Sequence, residues 1–323
     1  MRRRSEPCEG RVRAAPHPKV RAAPRPRART APRPHTPATG WRRAMYRRHR
    51  TRHLAVGLGA AALTVTLTAT TAPHSASTAA QRYGWGDPLP AWSDEFGYGS
   101  EADPAVPDSA KWRLAGGGPG KCWPGHSDNG RRCDANTRVI GGVLRMTGEA
   151  DGNTGWLASR YGQKYGRWEA RVRSRATAPD NGRQYHPLLI LWPDSNRHPE
   201  DGEYDYLENG APGEQCAEAF LHYPHPEDVP VQQEHARKCG VDLSQWHNVA
   251  VEWTPDHLRG FLDGEEWFRF SGGANADRDC IQCAPSMHQT IQLDNFHGDG
   301  LQSAVYEVDW ARVYDLPDDE SVR

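Results

Sequence analysis

Residues 202–208, with the sequence GEYDYLE, decide how this chain of 323 residues is interpreted. Successive side chains of a β-strand point to opposite faces, so Glu203 and Asp205 share one face and the two tyrosines share the other. Strict alternation would place Glu208 with the tyrosines. One extra residue in the strand, a β-bulge at about Leu207, returns Glu208 to the acidic face. The sequence therefore predicts a strand that carries three carboxylates on one side.

These three carboxylates repel one another, so their arrangement costs free energy and indicates a use. Glycoside hydrolysis is the obvious use, because it needs one carboxylate as a nucleophile and one carboxylic acid as a proton donor. Two alternatives stay open for the motif by itself. One is a solvated acidic strand edge, and the other is a calcium site, although calcium usually takes its oxygen ligands from loops.

The segments around the motif are short and rich in Val, Ile, Trp, Tyr and Phe, and turns of Gly, Pro, Asp and Asn separate them. The Asp263-Gly264 dipeptide between two apolar runs predicts a hairpin. No stretch sustains a helical period for more than about a dozen residues. The pattern predicts an all-β fold, a two-sheet antiparallel sandwich of the jelly-roll type. The predicted strands are residues 139–148, 168–175, 188–192, 203–208, 247–253, 258–270, 290–293 and 305–314.

Charge divides the chain into two unlike parts. Residues 1–53 hold 17 basic and 2 acidic side chains, whereas residues 54–323 hold 23 basic and 39 acidic ones. An acidic surface repels phosphate, which argues against a nucleic-acid partner for most of the chain.

Residues 54–81 carry no charge and follow an arginine-rich stretch at 47–52. A basic segment, an apolar segment and small residues up to Ala80 together predict a secretory signal peptide at 45–80, and so a secreted protein. The alternative is a membrane anchor, but the apolar run is shorter than the roughly 20 residues that a spanning helix needs. Residues 1–44 are Arg/Pro-rich and of low complexity. Our hypothesis is that translation starts at Met45, and the alternative is a nucleic-acid-binding arm.

The cysteines agree with export. Cys8 lies in the N-terminal segment, and six cysteines remain in the predicted domain at 81–323, an even number that favours three disulfides. We predict pairing between sequence neighbours. A zinc or redox site at 280–283 is the alternative, but no second Cys-x-x-Cys motif accompanies it. The predicted pairs are Cys122–Cys133, Cys216–Cys239 and Cys280–Cys283.

Further motifs stand on both sides of the acidic strand in a fixed order. They are WSDEF at 92–96, LWP at 191–193, PEDG at 199–202, AFLHY at 219–223, HNVAVEWTPD at 247–256, DG at 263–264 and VDWARVY at 308–314. Together with GEYDYLE they resemble glycoside hydrolase family 16, the bacterial laminarinase and lichenase-like enzymes. The resemblance covers roughly residues 84–316.

This resemblance implies a β-jelly-roll with a substrate cleft across its concave sheet, and cleavage of β-linked polysaccharides with retention of configuration. It makes Glu203 the nucleophile, Glu208 the general acid/base, and Asp205 the residue that tunes Glu203. Two glutamates on one face of a bulged strand can approach the ~5–5.5 Å separation of a retaining pair. No cofactor is needed for this chemistry, and we expect a monomer that has no stable membrane anchor after signal cleavage.

The resemblance also implies substrate contacts and a structural ion. His222, Trp192 and Trp156 match cleft positions, and Trp123 is expected to cap the groove, because indole rings stack on the C–H faces of sugars. For each of them the alternative is core packing, which we expect for Trp168, Trp253 and Trp310. Family members often bind one calcium ion on the convex side, and Glu95 and Asp309 match its side-chain ligands, the alternative being ordinary surface carboxylates.

Two departures from the family pattern bear on the substrate. Many relatives have Trp-Pro shortly before the catalytic strand, where this chain has His198-Pro199. Residues 288–294 present polar side chains to one face, which is either the cleft or a solvated edge. A β-1,3- or β-1,3-1,4-glucan is the first candidate substrate. A galactan or galactose-rich algal polymer is the second, and a non-catalytic carbohydrate-binding protein on the same fold is the third interpretation.

Overall fold

A computed structural model describes residues 76–230, 232–274 and 279–317. One short helix, α1 (Ala79–Tyr83), precedes a succession of strands. The strands are β1 (Trp112–Leu114), β2 (Cys122–Pro124), β3 (Arg131–Cys133), β4 (Thr137–Ile140), β5 (Val143–Gly148), β6 (Asn153–Thr154), β7 (Trp156–Gln163), β8 (Gly166–Ala176), β9 (His186–Pro193), β10 (Glu203–Glu208), β11 (Cys216–His222), β12 (Gln233–Cys239), β13 (His247–Trp253), β14 (Leu258–Leu262), β15 (Glu265–Phe270), β16 (Met287–Asp294) and β17 (Ala304–Tyr314). Single 3₁₀ turns lie at Ala115–Gly117, His126–Asp128, Asp134–Asn136 and Ile281–Cys283.

Two seven-stranded antiparallel sheets form the sandwich. The cleft sheet has the order β1-β7-β16-β9-β10-β11-β12, and the second sheet has the order β15-β14-β13-β8-β17-β5-β4. A small third sheet, β2-β3-β6, carries the loop that precedes β4. The predicted two-sheet β-jelly-roll is therefore confirmed, and β10 lies near the middle of the cleft sheet.

The core lies between the two sheets and is rich in aromatic rings. Tyr204 and Tyr206 project from β10 into it and are fully buried. Trp168 and Trp253 are also fully buried, which confirms the core positions predicted for them. Trp310 is 8% exposed but lies on the outer face of the second sheet, under the guanidinium of Arg312, so the predicted core position is wrong for this residue. Burial of each such side chain contributes about 2–3 kcal/mol, which anchors the inner face of β10 while its outer face carries polar groups.

Some predicted strand boundaries are wrong. The predicted strand at 139–148 is two strands, because Gly141 and Gly142 both adopt positive φ angles and form a turn. The predicted strand at 258–270 is likewise divided, at the Asp263-Gly264 hairpin that the sequence indicates. The strands absent from the predicted set are β1, β2, β3, β6, β7, β11 and β12. The polar sequence of β12, QEHARKC, lacks an apolar face because this strand lies at the sheet edge.

All three predicted disulfides are present. Cys122–Cys133 joins β2 to β3, Cys216–Cys239 joins β11 to β12, and Cys280–Cys283 spans a 3₁₀ turn. The first two bonds tie together the edges of the cleft, since each one links neighbouring strands in register.

The segment that precedes the first motif is part of the fold from Ala76 onwards. The N–H of Ala79 donates to Oε1 of Glu169 at 2.6 Å, and the amide of Asn248 donates to the carbonyl of Ala76 at 2.7 Å. Residues 76–80, assigned from the sequence to the end of the signal peptide, thus contact the second sheet. The predicted segment 1–44 and the first part of the predicted signal peptide, 45–75, lie outside the described residues. Within the described ranges no helix has the length and apolarity to cross a membrane.

Candidate active site

A β-bulge in β10 places the three carboxylates on the same face. Asp205 is paired with Ile190 of β9 and Leu207 with Leu189, so Tyr206 is the extra residue. The bulge lies one residue earlier than the sequence indicates. Tyr206 and Leu207 both turn into the core, and the alternation then continues with Glu208 on the outer face.

The outer face of the cleft sheet holds a cavity of about 540 Å³. It brings together every side chain that the sequence assigned to catalysis or to substrate binding. These residues are Glu203, Asp205 and Glu208 of β10, His222 of β11, Trp192 of β9, Trp156 of β7 and Trp123 of β2. A second cavity of about 430 Å³ shares Glu208 and His222 and extends the groove along β11.

The carboxyl groups in this groove have unlike environments. Burial, reinforced by the charge of Glu203, raises the pKa of Glu208 to about 7. Asp205 is only 3% exposed, and burial together with the charges of Glu203 and Glu208 raises its pKa well above the ordinary range. These causes favour the protonated form of Asp205. The raised pKa of Glu208 is what a proton donor near neutral pH requires.

His222 lies beside this group. Its Nε2 is 3.4 Å from Oδ2 of Asp205. Burial lowers the pKa of His222, so the ring is neutral at the pH at which Glu208 titrates. His222 therefore contacts the carboxylate that the sequence analysis places between the catalytic pair, and one edge of its ring lines the groove.

His198 also lines the cavity, although the sequence indicates it only as a departure from the family pattern. Its Nε2 lies 3.0 Å from Oε2 of Glu203. Its ring is stacked on Trp192 with the centroids 5.3 Å apart and the planes 19° from parallel. One face of Trp192 is thus covered by an imidazole. The sequence signals this position through the His198-Pro199 dipeptide, which departs from the expected Trp-Pro.

The polar face predicted for residues 288–294 faces the cleft and not a solvated edge. His288, Thr290, Gln292 and Asp294 all line the cavity. Nδ1 of His288 is 2.7 Å from Asp194, and its Nε2 is 3.2 Å from the guanidinium of Arg113.

Two arginines of the cleft are not predicted from the sequence. Arg132 donates to both oxygens of Asp294, at 2.8 and 3.3 Å, and Arg113 contacts His288. Arg113 belongs to β1 and Arg132 to β3, strands of three residues that have no periodicity to read. Only the pairing of β1 with β7 brings Arg113 to the cleft.

Two tryptophans form an aromatic wall at the same end of the groove. Trp123 meets Trp156 edge to face, with the ring centroids 4.8 Å apart and the planes at 66°. Trp123 remains 38% exposed, and its neighbour Cys122 is fixed by the disulfide to Cys133. An exposed indole held in this way offers a stacking surface for a sugar ring.

The residues expected to bind calcium lie apart from this groove, and each has an arginine partner. Both oxygens of Glu95 accept from Arg312, at 2.8 and 2.7 Å, and Asp309 accepts from Arg171 at 2.6 Å. These carboxylates, already neutralised, do not fit a calcium site as they are arranged, because a cation would have to displace both arginines. The calcium ion stays a prediction.

Comparison with known proteins agrees with the geometry. No family model matches the chain. The β-glucanase of Rhodothermus marinus is 28% identical over 197 residues, which cover 55% of this chain and 64% of that protein. A non-specific endo-β-1,3(4)-glucanase of family 16 superposes with a TM-score of 0.55 at 21% identity, over 71% of this chain and 94% of the other. The resemblance to the laminarinase-like enzymes of glycoside hydrolase family 16 is confirmed.

Not every structural neighbour is named as an active enzyme. An immunostimulatory antigen of Mycobacterium tuberculosis, described as a pseudo β-1,3-glucanase, superposes with a TM-score of 0.53 at 22% identity, over 72% of this chain and 100% of the other. Structural likeness at such identity shows the fold alone. The chain also spans less than two thirds of the length of the curated relatives that it matches.

Proposed function

We propose that this chain is a secreted, retaining glycoside hydrolase that cleaves internal β-1,3 or β-1,3-1,4 linkages of a glucan. The observation that carries the proposal is the unequal environment of two glutamates on one face of β10. Burial and neighbouring carboxylates raise the pKa of Glu208 to about 7, while Oε2 of Glu203 lies 3.0 Å from Nε2 of His198. Environments that separate a proton donor from a nucleophile are typical of glycosidases.

The reaction proposed is a double displacement. In the first step Glu208 gives its proton to the glycosidic oxygen, while a carboxylate oxygen of Glu203 attacks the anomeric carbon. The glycosidic bond breaks, and its electron pair stays with the protonated leaving group. In the second step Glu208 takes a proton from water as the water oxygen attacks the same carbon. The bond to Glu203 then breaks, and its electron pair returns to the carboxylate.

Asp205 and His222 act on this pair from within the groove. Protonated Asp205 donates to Glu203, which keeps the nucleophilic carboxylate in one orientation. His222 lies 3.4 Å from the other side of Asp205. We expect Asp205→Asn to keep part of the activity, because an amide can still donate a hydrogen bond to Glu203.

The polar strand in the cleft supports a second candidate substrate. A groove for plain glucan needs mainly aromatic surfaces and hydroxyl partners, and Trp123 and Trp156 provide the former. His288, Gln292 and Asp294 add charged and amide groups. They favour a more polar or more substituted β-glycan, such as a galactan or a galactose-rich algal polymer.

Export is part of the proposal. All six cysteines of the domain pair within three disulfides, the usage expected of a protein that folds in an oxidising compartment. The uncharged stretch after the arginines at 47–52 would direct this export. The contacts of Ala76 and Ala79 with the second sheet favour a cut N-terminal to Ala76 over the cut near Ala80 that the sequence indicates.

A product assay tests the proposal. The protein from Ala76 onwards is incubated with laminarin, mixed-linkage β-glucan, xyloglucan, galactan, agar and carrageenan, with Glu203→Ala as the control. We expect short oligosaccharides from one polymer, absent in the control, and a β-anomer as the first product in proton NMR. An α-anomer would contradict retention. Binding to a polymer without cleavage would support the carbohydrate-binding interpretation.

A further inference from the structure

We propose that His198 is a positioning residue for Glu203, which fixes the nucleophilic carboxylate and stabilises it as it leaves the anomeric carbon in the second step. This inference rests on the proposed function for its kinetic part. The pairing of His198 with Glu203 can be tested whether or not the protein is an enzyme.

The contact is built into the loop between β9 and β10. Nε2 of His198 lies 3.0 Å from Oε2 of Glu203, within hydrogen-bond distance. The ring stacks on Trp192, which limits its rotation. Asp201 braces the loop by accepting from the guanidinium of Arg197 at 2.9 and 3.1 Å and from the hydroxyl of Ser195 at 2.5 Å. The loop is therefore fixed by side-chain contacts both before and after His198.

The charges around His198 favour its protonated form. The hydrogen bond to Glu203 raises the pKa of His198, partial burial opposes this, and the charges of Glu203 and Glu200 add to the rise. His222 stands edge-on with its centroid 6.3 Å away and is neutral, since burial lowers its pKa. Arg197 is paired with Asp201. Burial and the charge of Glu203 raise the pKa of Asp205 and favour its neutral form, which adds no charge beside Glu203.

This partner matters most when Glu203 is a leaving group. Once Glu203 is esterified to the anomeric carbon, its negative charge is gone and the hydrogen bond with His198 is weak. When water attacks and the ester bond breaks, the electron pair returns to Glu203, and the N–H of His198 donates to the forming carboxylate. The same donor slightly weakens Glu203 as a nucleophile in the first step. Removing His198 should therefore slow the second step more than the first.

Kinetics of two variants test this role. His198→Gln keeps a donor without the charge, and His198→Ala removes both. We expect kcat to fall about 10- to 100-fold in His198→Ala, with KM falling in parallel so that kcat/KM stays nearly constant, and less in His198→Gln. A glycosyl-enzyme on Glu203 should accumulate and be visible by mass spectrometry. His247→Gln is the matched control, because His247 pairs with Asp263 at 2.7 Å on the second sheet.

The outcomes separate the possible failures. Unchanged kcat in both variants, or a fall of kcat/KM with kcat intact, would overturn the proposed role. A titration of the histidine ring signals by NMR tests the pairing itself, with His198→Gln identifying the signal. In Glu203→Gln we expect the titration of His198 to move to lower pH. A midpoint that does not move overturns the pairing, whereas a wild-type protein that cleaves nothing refutes only the proposed function.

Discussion

Removal of residues 76–80 should destabilise the domain, because these residues supply two hydrogen-bond donors to a buried carboxylate. Glu169 of β8 has no exposed surface, and its oxygens accept from the N–H groups of Ala79 at 2.6 Å and Ala80 at 3.3 Å. Ala79 is itself fully buried, and Thr78 caps the helix that follows. A chain that starts at Gln81 keeps Glu169 but loses all of these contacts.

The magnitude follows from the two hydrogen bonds. A bond to a charged group contributes about 1.5–3 kcal/mol, so the low end for two bonds is about 3 kcal/mol. For a domain of this size each kcal/mol corresponds to about 2–4 °C in Tm. We therefore expect Tm to fall by about 6–12 °C above neutral pH. The fall in Tm should be smaller at acid pH, because Glu169 can then become protonated and no longer needs the two donors.

The pH dependence has a definite sign. Burial raises the pKa of Glu169 to about 7 in the folded protein, above the usual 4.5. The folded state thus binds this proton more tightly than the unfolded state, and stability falls as pH rises from about 4.5 through 7. The two donors reduce that penalty by stabilising the ionised form. The truncated protein should therefore lose more stability at pH 8 than at pH 5.

Calorimetry of chains that start at Ala76 and at Gln81 measures this effect, at pH 5 and at pH 8. The Glu169→Gln substitution in both lengths completes a double-mutant cycle, and truncation should cost less at pH 8 in the chains that carry this substitution. Equal melting temperatures for the two lengths at pH 8 would contradict the role given to these two donors.

Three other changes have expected outcomes. The alkaline limb of the pH profile of kcat/KM should have its midpoint near pH 7, because activity needs the protonated form of Glu208. A Glu208→Gln variant should retain less than about a thousandth of the rate. Its residual activity should lack this limb. Glu252→Gln should lower the free energy of unfolding by about 3–5 kcal/mol at pH 7, since it removes the buried charge that pairs with Arg167 at 2.7 Å. Burial acts to raise the folded-state pKa of Glu252, but hydrogen bonds from a histidine and two arginines outweigh burial and lower this pKa to about 2. The stability that Glu252 contributes to the wild type should therefore be lost as pH falls from 4.5 towards 2. Chelator and added calcium should leave Tm unchanged, because Glu95 and Asp309 already form ion pairs with arginines. A rise in Tm with added calcium would support the predicted ion.

The sequence predicts the catalytic strand well because alternation is a local property. Two tyrosines that must enter the core, and carboxylates that must stay out of it, leave few ways to place residues 203–208. The number of residues between Asp205 and Glu208 then requires the bulge. The predicted bulge is misplaced by one residue because Tyr206 and Leu207 are both apolar. Only the pairing with β9 distinguishes them, since Leu207 lies opposite Leu189.

The missed parts of the site all depend on contacts between distant segments. Arg113 lies 175 residues from His288, and its three-residue strand has no pattern of its own. Residues 76–80 have the small side chains of a cleavage site. The same smallness lets Ala79 fit against Glu169, 90 positions away. Composition alone cannot separate these two uses.

Within the proposed reaction, the roles of the two glutamates follow from their surroundings as well as from the family pattern. The charged neighbours that raise the pKa of Glu208, in addition to its burial, are the carboxylates Glu203, Asp294 and Glu218. Glu203 instead has a histidine donor at 3.0 Å. Neighbouring negative charges favour the protonated form of a carboxyl group, so Glu208 is suited to donate the proton. Exchanging the two roles would require an ionised Glu208 among carboxylates, so the geometry favours a single assignment.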